Sequence, residues 1–497
     1  MSKQKFLLSK SSFIKGLQCL KYLYLYKYHY KLKDPIPAAR KALYDRGIAI
    51  GKLAWGLFPD GVDASPPSPF HYDKSVLITK YYIEKDNPII YEAAFTYNQV
   101  ICALDILVRM NDQWIAYEVK SSARLTETYI RDAALQYYVI SKSGLILNDF
   151  KIAYINKEYV RNGELNLQKL FSFKSVLKEV QKMQKMIEDE IKKQKRILSY
   201  KDIPDIEPGI HCFSPYNCEF IGNCWKNMSN QSVFKLCEMS REEQFELFQK
   251  GIKMAIDIPE NIHLTDRQKI QIKAEKTGKP VFNKVYISDF LSKLTYPLFF
   301  VDFEVCSFAV PLWNYTKPFD KIPFLFSLHK IGHNNTEPEH NFFLSNDGAT
   351  SQGEFILQFL KLTTGTGDIL AFDMQNELSN LHRLAVMFPN LKNEIDNRIS
   401  RFKDLRLIFS NNQYYTQEMN GSLSLKSIYN ALNKKRTYEK LTVSNGLEAV
   451  LAYEKYLECK DEKTKNQLKD NLVKYCCTDT YAMVQIIKVL RQLTSDG

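Results

Sequence analysis

The sequence predicts an α/β protein of two or three domains, and three observations carry that reading. Residues 99–122, QVICALDILVRMNDQWIAYEVKSS, read as two apolar strands folded about Asn111-Asp112, residue types that tolerate the positive φ of a tight hairpin turn. Residues 298–305, LFFVDFEV, read as a second apolar strand, interrupted by two acids. Between and after them lie stretches with helical spacing, such as Val176, Val180, Met183, Ile187, Ile191 and Leu198. A length of 497 residues suits two or three domains, each long enough to bury a core. The 45% hydrophobic and 25% charged content is that of an ordinary soluble globular protein. No run of eighteen apolar residues predicts a membrane span, and the first residues, MSKQKFLLSKSSF, lack a signal-peptide hydrophobic region. A cytoplasmic protein without a membrane partner is expected. A net charge of +12 favours a polyanionic partner. Ten cysteines in a reducing compartment point to metal ligands or core residues rather than disulfides.

In chain order, residues 11–30 read as one tyrosine-rich helix. Tyr22, Tyr24, Tyr26, Tyr28 and Tyr30 either cover a core edge or stack on bases. Residues 56–75, rich in Pro, Gly, Asp and Ser, read as a surface loop. After the hairpin come a helix over 126–142, a strand over 151–159 and one long amphipathic helix over 174–198. Residues 228–290 read as a helical connector carrying two capping boxes, Ser240-x-x-Glu243 and Thr265-x-x-Gln268, and closed by Gly278-Lys279-Pro280. Beyond the strand at 298–305, residues 324–332 and 340–346 read as a hairpin. Ser351-x-x-Glu354 then caps a helix ending near Leu362, and 368–372 (DILAF) is a buried strand followed by a helix near Glu377. Residues 471–490 form an amphipathic helix that sets Tyr475 and Asp479 on one face.

Chemistry concentrates at three places. At the first hairpin, Asp105 and Glu118 are equally distant from the turn and so stand opposite each other, and Glu118 and Lys120 share a face. Two close carboxylates repel unless a cation sits between them. Magnesium favours one or two carboxylates plus water, and a lysine beside it can stabilise phosphate charge. The alternative is a charge-laced edge hairpin. Next, Cys212, Cys218 and Cys224 recur in the turn-rich segment HCFSPYNCEFIGNCW. Three such thiolates want a fourth ligand. Cys19 could supply it, and His211 is a substitute. Cys102, Cys237, Cys306, Cys476 and Cys477 are expected to be core or incidental. Last, Asp302 and Glu304 face the same way along their strand. Burying both without cations is costly.

These motifs carry resemblances. LDIL and EVK resemble the core of the PD-(D/E)xK nucleases, and DAALQYYVI resembles the Gln-Tyr motif of their RecB-like branch. That likeness implies a restriction-endonuclease-like domain with Asp105, Glu118, Lys120 and Gln136 in the active site and a metal on Asp105 and Glu118. The branch often has a metal-binding His in an earlier helix. RGIAIGKLA stands there instead, and Glu92 is a possible replacement. One early cysteine with a late group of three resembles the iron–sulfur staple of the same branch. It implies a [4Fe-4S] cluster on Cys19, Cys212, Cys218 and Cys224, with Zn²⁺ as the rival, although the late spacing differs from the usual one. The D-x-E strand, a later acid and a helical Y-x3-D together resemble the DEDD (DnaQ-like) exonucleases. This implies an RNase H-like domain with two Mg²⁺ or Mn²⁺ ions on Asp302, Glu304, Glu377 and Asp479, and Tyr475 orienting the attacking water. FDMQNE departs from that family's second motif, so Asp373 is the alternative to the preferred Glu377.

The whole order resembles a bacterial two-nuclease family. It implies a nuclease domain over 1–227, a connector over 228–290 and an exonuclease domain over 291–497. The function it implies is phosphodiester hydrolysis in nucleic acid, DNA before RNA, in processing, repair or defence. A nucleic-acid-binding protein with one or both sites inactive, and an exoribonuclease, are the alternatives.

Overall fold

The computed structural model describes residues 7–68, 71–228, 232–333, 336–433 and 437–495. The protein is mixed α/β and divides into two compact units. Among the described residues no helix is long and apolar enough to cross a membrane. The first unit comprises residues 1–227 and 308–319 and the second the remainder. Residues 228–290, expected as a separate connector, thus cluster with the second unit.

The first unit is built on β1 (Leu8–Ser9), β2 (Val62–Asp63), β3 (Ile89–Tyr97), β4 (Val100–Met110), β5 (Gln113–Lys120), β6 (Leu147–Ile155) and β7 (Phe171–Ser175). The sheet order is β2-β3-β4-β5-β6-β7, with β1 parallel to the start of β4. The β4–β5 hairpin turns on Asn111 and Asp112, at φ 50° and 59°. This double left-handed turn matches the twist of the flanking strands. Its register runs from Met110 opposite Gln113 to Ile106 opposite Tyr117, as the sequence predicts. Asp105 and Glu118 lie one step further on, at the mouth. Strand β5 pairs in parallel with β6, and the helix Glu127–Lys142 makes the crossover. One sheet face packs Leu104, Leu107, Ala133, Val139, Ile187 and Ile191, and the other packs Ile106, Val108, Tyr117 and Phe171.

Three sequence expectations need correction here. The helix over 11–30 is two helices, Lys10–Gln18 and Leu20–Tyr28, because Cys19 is extended at φ −161°. The helix over 174–198 begins as the end of β7 and then breaks at Met183 into Leu177–Lys182 and Gln184–Leu198. The apolar stripe survives the break, since Val180, Ile187 and Ile191 are all buried. The loop over 56–75 contains β2 and the start of the helix Tyr72–Glu84, with Ala64 and Ser75 fully buried.

The second unit holds β8 (Val281–Phe282), β9 (Leu298–Cys306), β10 (Ile322–Ile331), β11 (Glu339–Leu344), β12 (Ile369–Ala371), β13 (Phe402–Asp404) and β14 (Tyr414–Tyr415). The main sheet runs β11-β10-β9-β12-β13. Strand β10 is antiparallel to both β9 and β11, and β12 is parallel to both β9 and β13. One face packs an aromatic core, Phe303, Phe326, Phe355 and Phe359, under the helices Gln352–Leu362 and Gln375–Met387. The C-terminal helix Glu462–Ser495 packs on β9, β10 and β11.

Both predicted capping boxes form, and Gly278 closes its helix at φ 64°. Ser240→Ala is expected to cost about 1 kcal/mol, read as a shift in denaturation midpoint. The Ser351 cap does not form: its hydroxyl donates to Asp347 rather than capping the helix N-terminus. Strand β8 pairs with β14, which builds the expected connector into the second unit.

Two candidate carboxylate sites and a cysteine cluster

At the mouth of the first hairpin the sequence-predicted residues converge. Glu118 is the hub. Its Oε1 accepts from Lys120 at 2.7 Å and from Lys10 at 2.9 Å, and its Oε2 accepts from Gln136 Nε2 at 2.8 Å. Lys120 also donates to Asp132 at 2.7 Å. Asp105 accepts from the Val119 N–H at 2.6 Å. Burial and then Glu118 push the Asp105 carboxyl up to about 8. Burial acts to raise Glu118 as well, but Lys10 and Lys120, with their hydrogen bonds, hold it far below the usual carboxylate range. The two carboxyls are thus pushed in opposite directions, Glu118 toward the charged form and Asp105 toward the protonated one.

Glu92 stands across from Asp105, between Tyr91 and Ala93, which pair with Ile106 and Leu104. It adopts φ 51° in mid-strand, an uncommon conformation for a residue with a side chain. Burial raises its carboxyl, with Lys10 opposing and Glu118 adding. Sequence reading missed Lys10 and Asp132. Asp132 lies one turn before Gln136 on the same helix, a spacing that was available as a signal. Lys10 arrives from the chain start and gave none.

In the second unit, β9 presents Asp302 and Glu304 from the face that the C-terminal helix covers. Their carboxylates and the Cys476 thiol all lie within 4.8 Å of one another. Cys476 donates to Asp302 at 3.3 Å, so it is part of the site rather than incidental. Tyr438, also missed, donates to Asp479 at 2.5 Å. The short run that contains it, TYEK, carries no periodic signal.

Burial raises all four acids. It takes Asp302 to about 6 and Glu377 to about 8, in the latter case with Asp302 adding to the effect. Glu304 stands well above its usual range through burial and then Asp302, Asp479 and Glu377. Asp479 does so through burial and then Asp302, against the hydrogen bonds from Tyr438 and Tyr475. Glu377 Oε2 is buried without a hydrogen-bond partner. Among the described residues none of the four forms a salt bridge. Asp373 instead pairs with Arg406 at 2.6 Å and sits at φ 65°. The preferred Glu377 is therefore the acid that joins the cluster.

The four predicted cysteines, Cys19, Cys212, Cys218 and Cys224, line one cavity in the first unit, with His211 beside them. Cys19 sits in extended backbone between the two helices and lines the cavity. Gln18 pins the cysteine loop by donating to the carbonyls of His211 and Tyr216, both at 2.7 Å. Tyr22 ties the same loop through Glu219 at 2.8 Å. Tyr22 and Tyr24 are buried, in keeping with a core-edge role, whereas Tyr28 and Tyr30 are exposed. Gln18→Ala removes both of its contacts and leaves the two carbonyls unpaired, which is expected to cost about 1–3 kcal/mol, read as a shift in urea denaturation midpoint.

No curated protein matches the chain. Residues 299–424 match a family described as Domain of unknown function (DUF2779), a span that takes in Asp302, Glu304 and Glu377 and ends before Tyr475 and Asp479.

Proposed function

We propose that the protein is a metal-dependent nuclease with two separate sites, acting on DNA in preference to RNA. The observation that carries this reading is the second cluster: the half-buried Asp302 with the buried Glu304, Glu377 and Asp479, all raised by burial and the last three also by neighbouring acids, with a partnerless carboxylate oxygen among them. Such a group is costly to bury without cations, and its donor set suits hard divalent ions. Asp302, Glu304, Glu377 and Asp479 would hold Mg²⁺ or Mn²⁺, which when bound supplies Lewis-acid stabilisation of phosphoryl charge.

Tyr475, hydrogen-bonded to Asp479 and pushed far above the usual phenol range by burial and Asp479, stays neutral and can orient a water. The DEDD and RNase H-like reading of this unit is supported by acids on a central strand and by the C-terminal helix that brings the last acid. Tyr475→Phe is expected to lower turnover by on the order of 10² with Mn²⁺ affinity unchanged, as checked by steady-state kinetics beside calorimetry.

For the first unit, the PD-(D/E)xK reading is supported by the convergence of Asp105, Glu118, Lys120 and Gln136. Asp105 and Glu118 would hold a divalent ion there. Lys10 already acts as counter-charge to Glu118, and Lys120 can face a phosphate.

The cysteine cavity would hold a [4Fe-4S] cluster. Four thiols lining one cavity are the donor set such a cluster takes, and Zn²⁺ takes the same set. Anaerobically purified protein is expected to be brown, with about four irons per chain. One zinc and no iron would assign the rival, and no metal would remove both.

The functional test is incubation with end-labelled single- and double-stranded DNA and RNA in Mg²⁺, Mn²⁺ or EDTA. Metal-dependent cleavage, faster on DNA, is expected. Faster cleavage of RNA would redirect the substrate, and no cleavage of any substrate would overturn the reading.

A further inference from the structure

The C-terminal helix brings a second set of donors to the same sheet face, next to the acids but chemically unlike them. His329 on β10 pairs directly with His340 on β11, so both side chains leave the sheet on one side. Cys477 approaches from the helix. One donor atom from each of the three lies within 4.8 Å of the other two. The imidazole centroids are 4.7 Å apart.

Each ring is held by a hydroxyl. His329 Nδ1 is 2.8 Å from Thr480 Oγ1, His340 Nε2 is 2.9 Å from Ser327 Oγ, and the two hydroxyls are 2.9 Å apart. This network engages one nitrogen of each ring, and a metal bound through the other nitrogen of each would leave it intact. Outer partners of this kind fix the tautomer and orientation of metal-binding histidines. Burial lowers both rings, His329 to about 4 with His340 contributing. Both are then neutral at pH 7, the form that donates a lone pair. His340 is exposed and Cys477 half-buried, so an ion has a route in from solvent.

We propose that His329, His340 and Cys477 form a site for one Zn²⁺-class ion, distinct from the carboxylate cluster. Two imidazoles and a thiolate suit a borderline-soft ion rather than Mg²⁺. Three protein ligands leave a fourth position for water. On binding, the Cys477 thiol releases its proton to solvent and the sulfur forms the metal bond, with no change of oxidation state. The ion ties the β10–β11 hairpin to the helix two residues before Asp479 and one residue after Cys476. It thereby fixes the helix register that delivers Asp479 and Tyr475. The site stands whether or not the acids hydrolyse nucleic acid.

The test is a Co²⁺ titration of the full chain, after its cysteine cavity has been loaded with its own metal and loosely bound ions have been removed by chelator. Wild type is expected to bind one equivalent that shows a thiolate-to-Co²⁺ charge-transfer band, displaced by Zn²⁺ and not by Mg²⁺. Cys477→Ser is expected to lose that band, and His340→Ala to bind more weakly by at least tenfold. Cys476 lies within 4.8 Å of Asp302 and Glu304, so an ion on the acids can also meet a thiolate. A Cys476→Ser variant is expected to keep the band, and its loss there would overturn the assignment to Cys477. The loaded cysteine cavity contributes equally to every protein compared. His340 is exposed, so its variant folds, which far-ultraviolet circular dichroism checks. Absence of the band in wild type, or its persistence at full strength in both Cys477→Ser and His340→Ala, would overturn the proposal.

Discussion

Asp302→Asn is expected to abolish hydrolysis at the second site while making the metal-free protein more stable. Loss of a ligand forfeits several kcal/mol of transition-state charge stabilisation, which at tenfold per 1.36 kcal/mol is roughly a thousandfold or more in rate. Stability moves the other way. The folded carboxyl stands at about 6 against an ordinary 3.8, so between those values the native state binds more protons than the unfolded one. Stability of the metal-free protein therefore falls as pH rises through about 4 to 6, and Glu377, at about 8, extends the fall. At neutral pH the Asp302 share is up to about 3 kcal/mol. Asparagine removes it, and in wild type bound Mg²⁺ or Mn²⁺ offsets it. Thermal melts in EDTA and in Mn²⁺, at pH 5 and pH 8, measure the effect. An Asp302→Asn variant that melts lower than wild type in EDTA at pH 8 would contradict the account of the cluster.

Glu118→Ala is expected to be the most destabilising single change at the first site. Glu118 is the shared partner of Lys10, Lys120 and Gln136, and removing it leaves two lysines beside Asp132 with one carboxylate fewer. Breaking a buried ion pair from one side costs about 3–5 kcal/mol. Glu118→Gln keeps the volume and a hydrogen-bonding oxygen, so it should lose the site's cleavage with a smaller loss of stability. Urea denaturation separates the two. An alanine variant within about 1 kcal/mol of wild type would mean that the hub is not holding the hairpin mouth together.

Much of this was legible because it is local. The Asn111-Asp112 turn sets its own register, and that register alone brings Asp105 to Glu118. Strand alternation put Asp302 beside Glu304, and one helical turn put Tyr475 beside Asp479. What escaped was of two kinds. Long-range partners such as Lys10 and Tyr438 have no sequence spacing that ties them to their sites. Breaks within a continuous apolar pattern, at Cys19 and Met183, also escaped, because the hydrophobic stripe resumes after each. Cys476 and Cys477, expected as core or incidental, show the same dependence on distant neighbours. Adjacent on one helix, they point to different neighbours, Cys476 to the acids and Cys477 to His329 and His340.

The most direct test of two independent metal-dependent sites is a cleavage time course on end-labelled and circular DNA with wild type, Glu118→Gln, Asp302→Asn and the double variant. The account predicts that wild type cleaves in Mn²⁺ and not in EDTA, that each single variant loses a different part of the product pattern, and that the double variant cleaves nothing. A double variant that cleaves like wild type, or wild-type cleavage undiminished in EDTA, would contradict it.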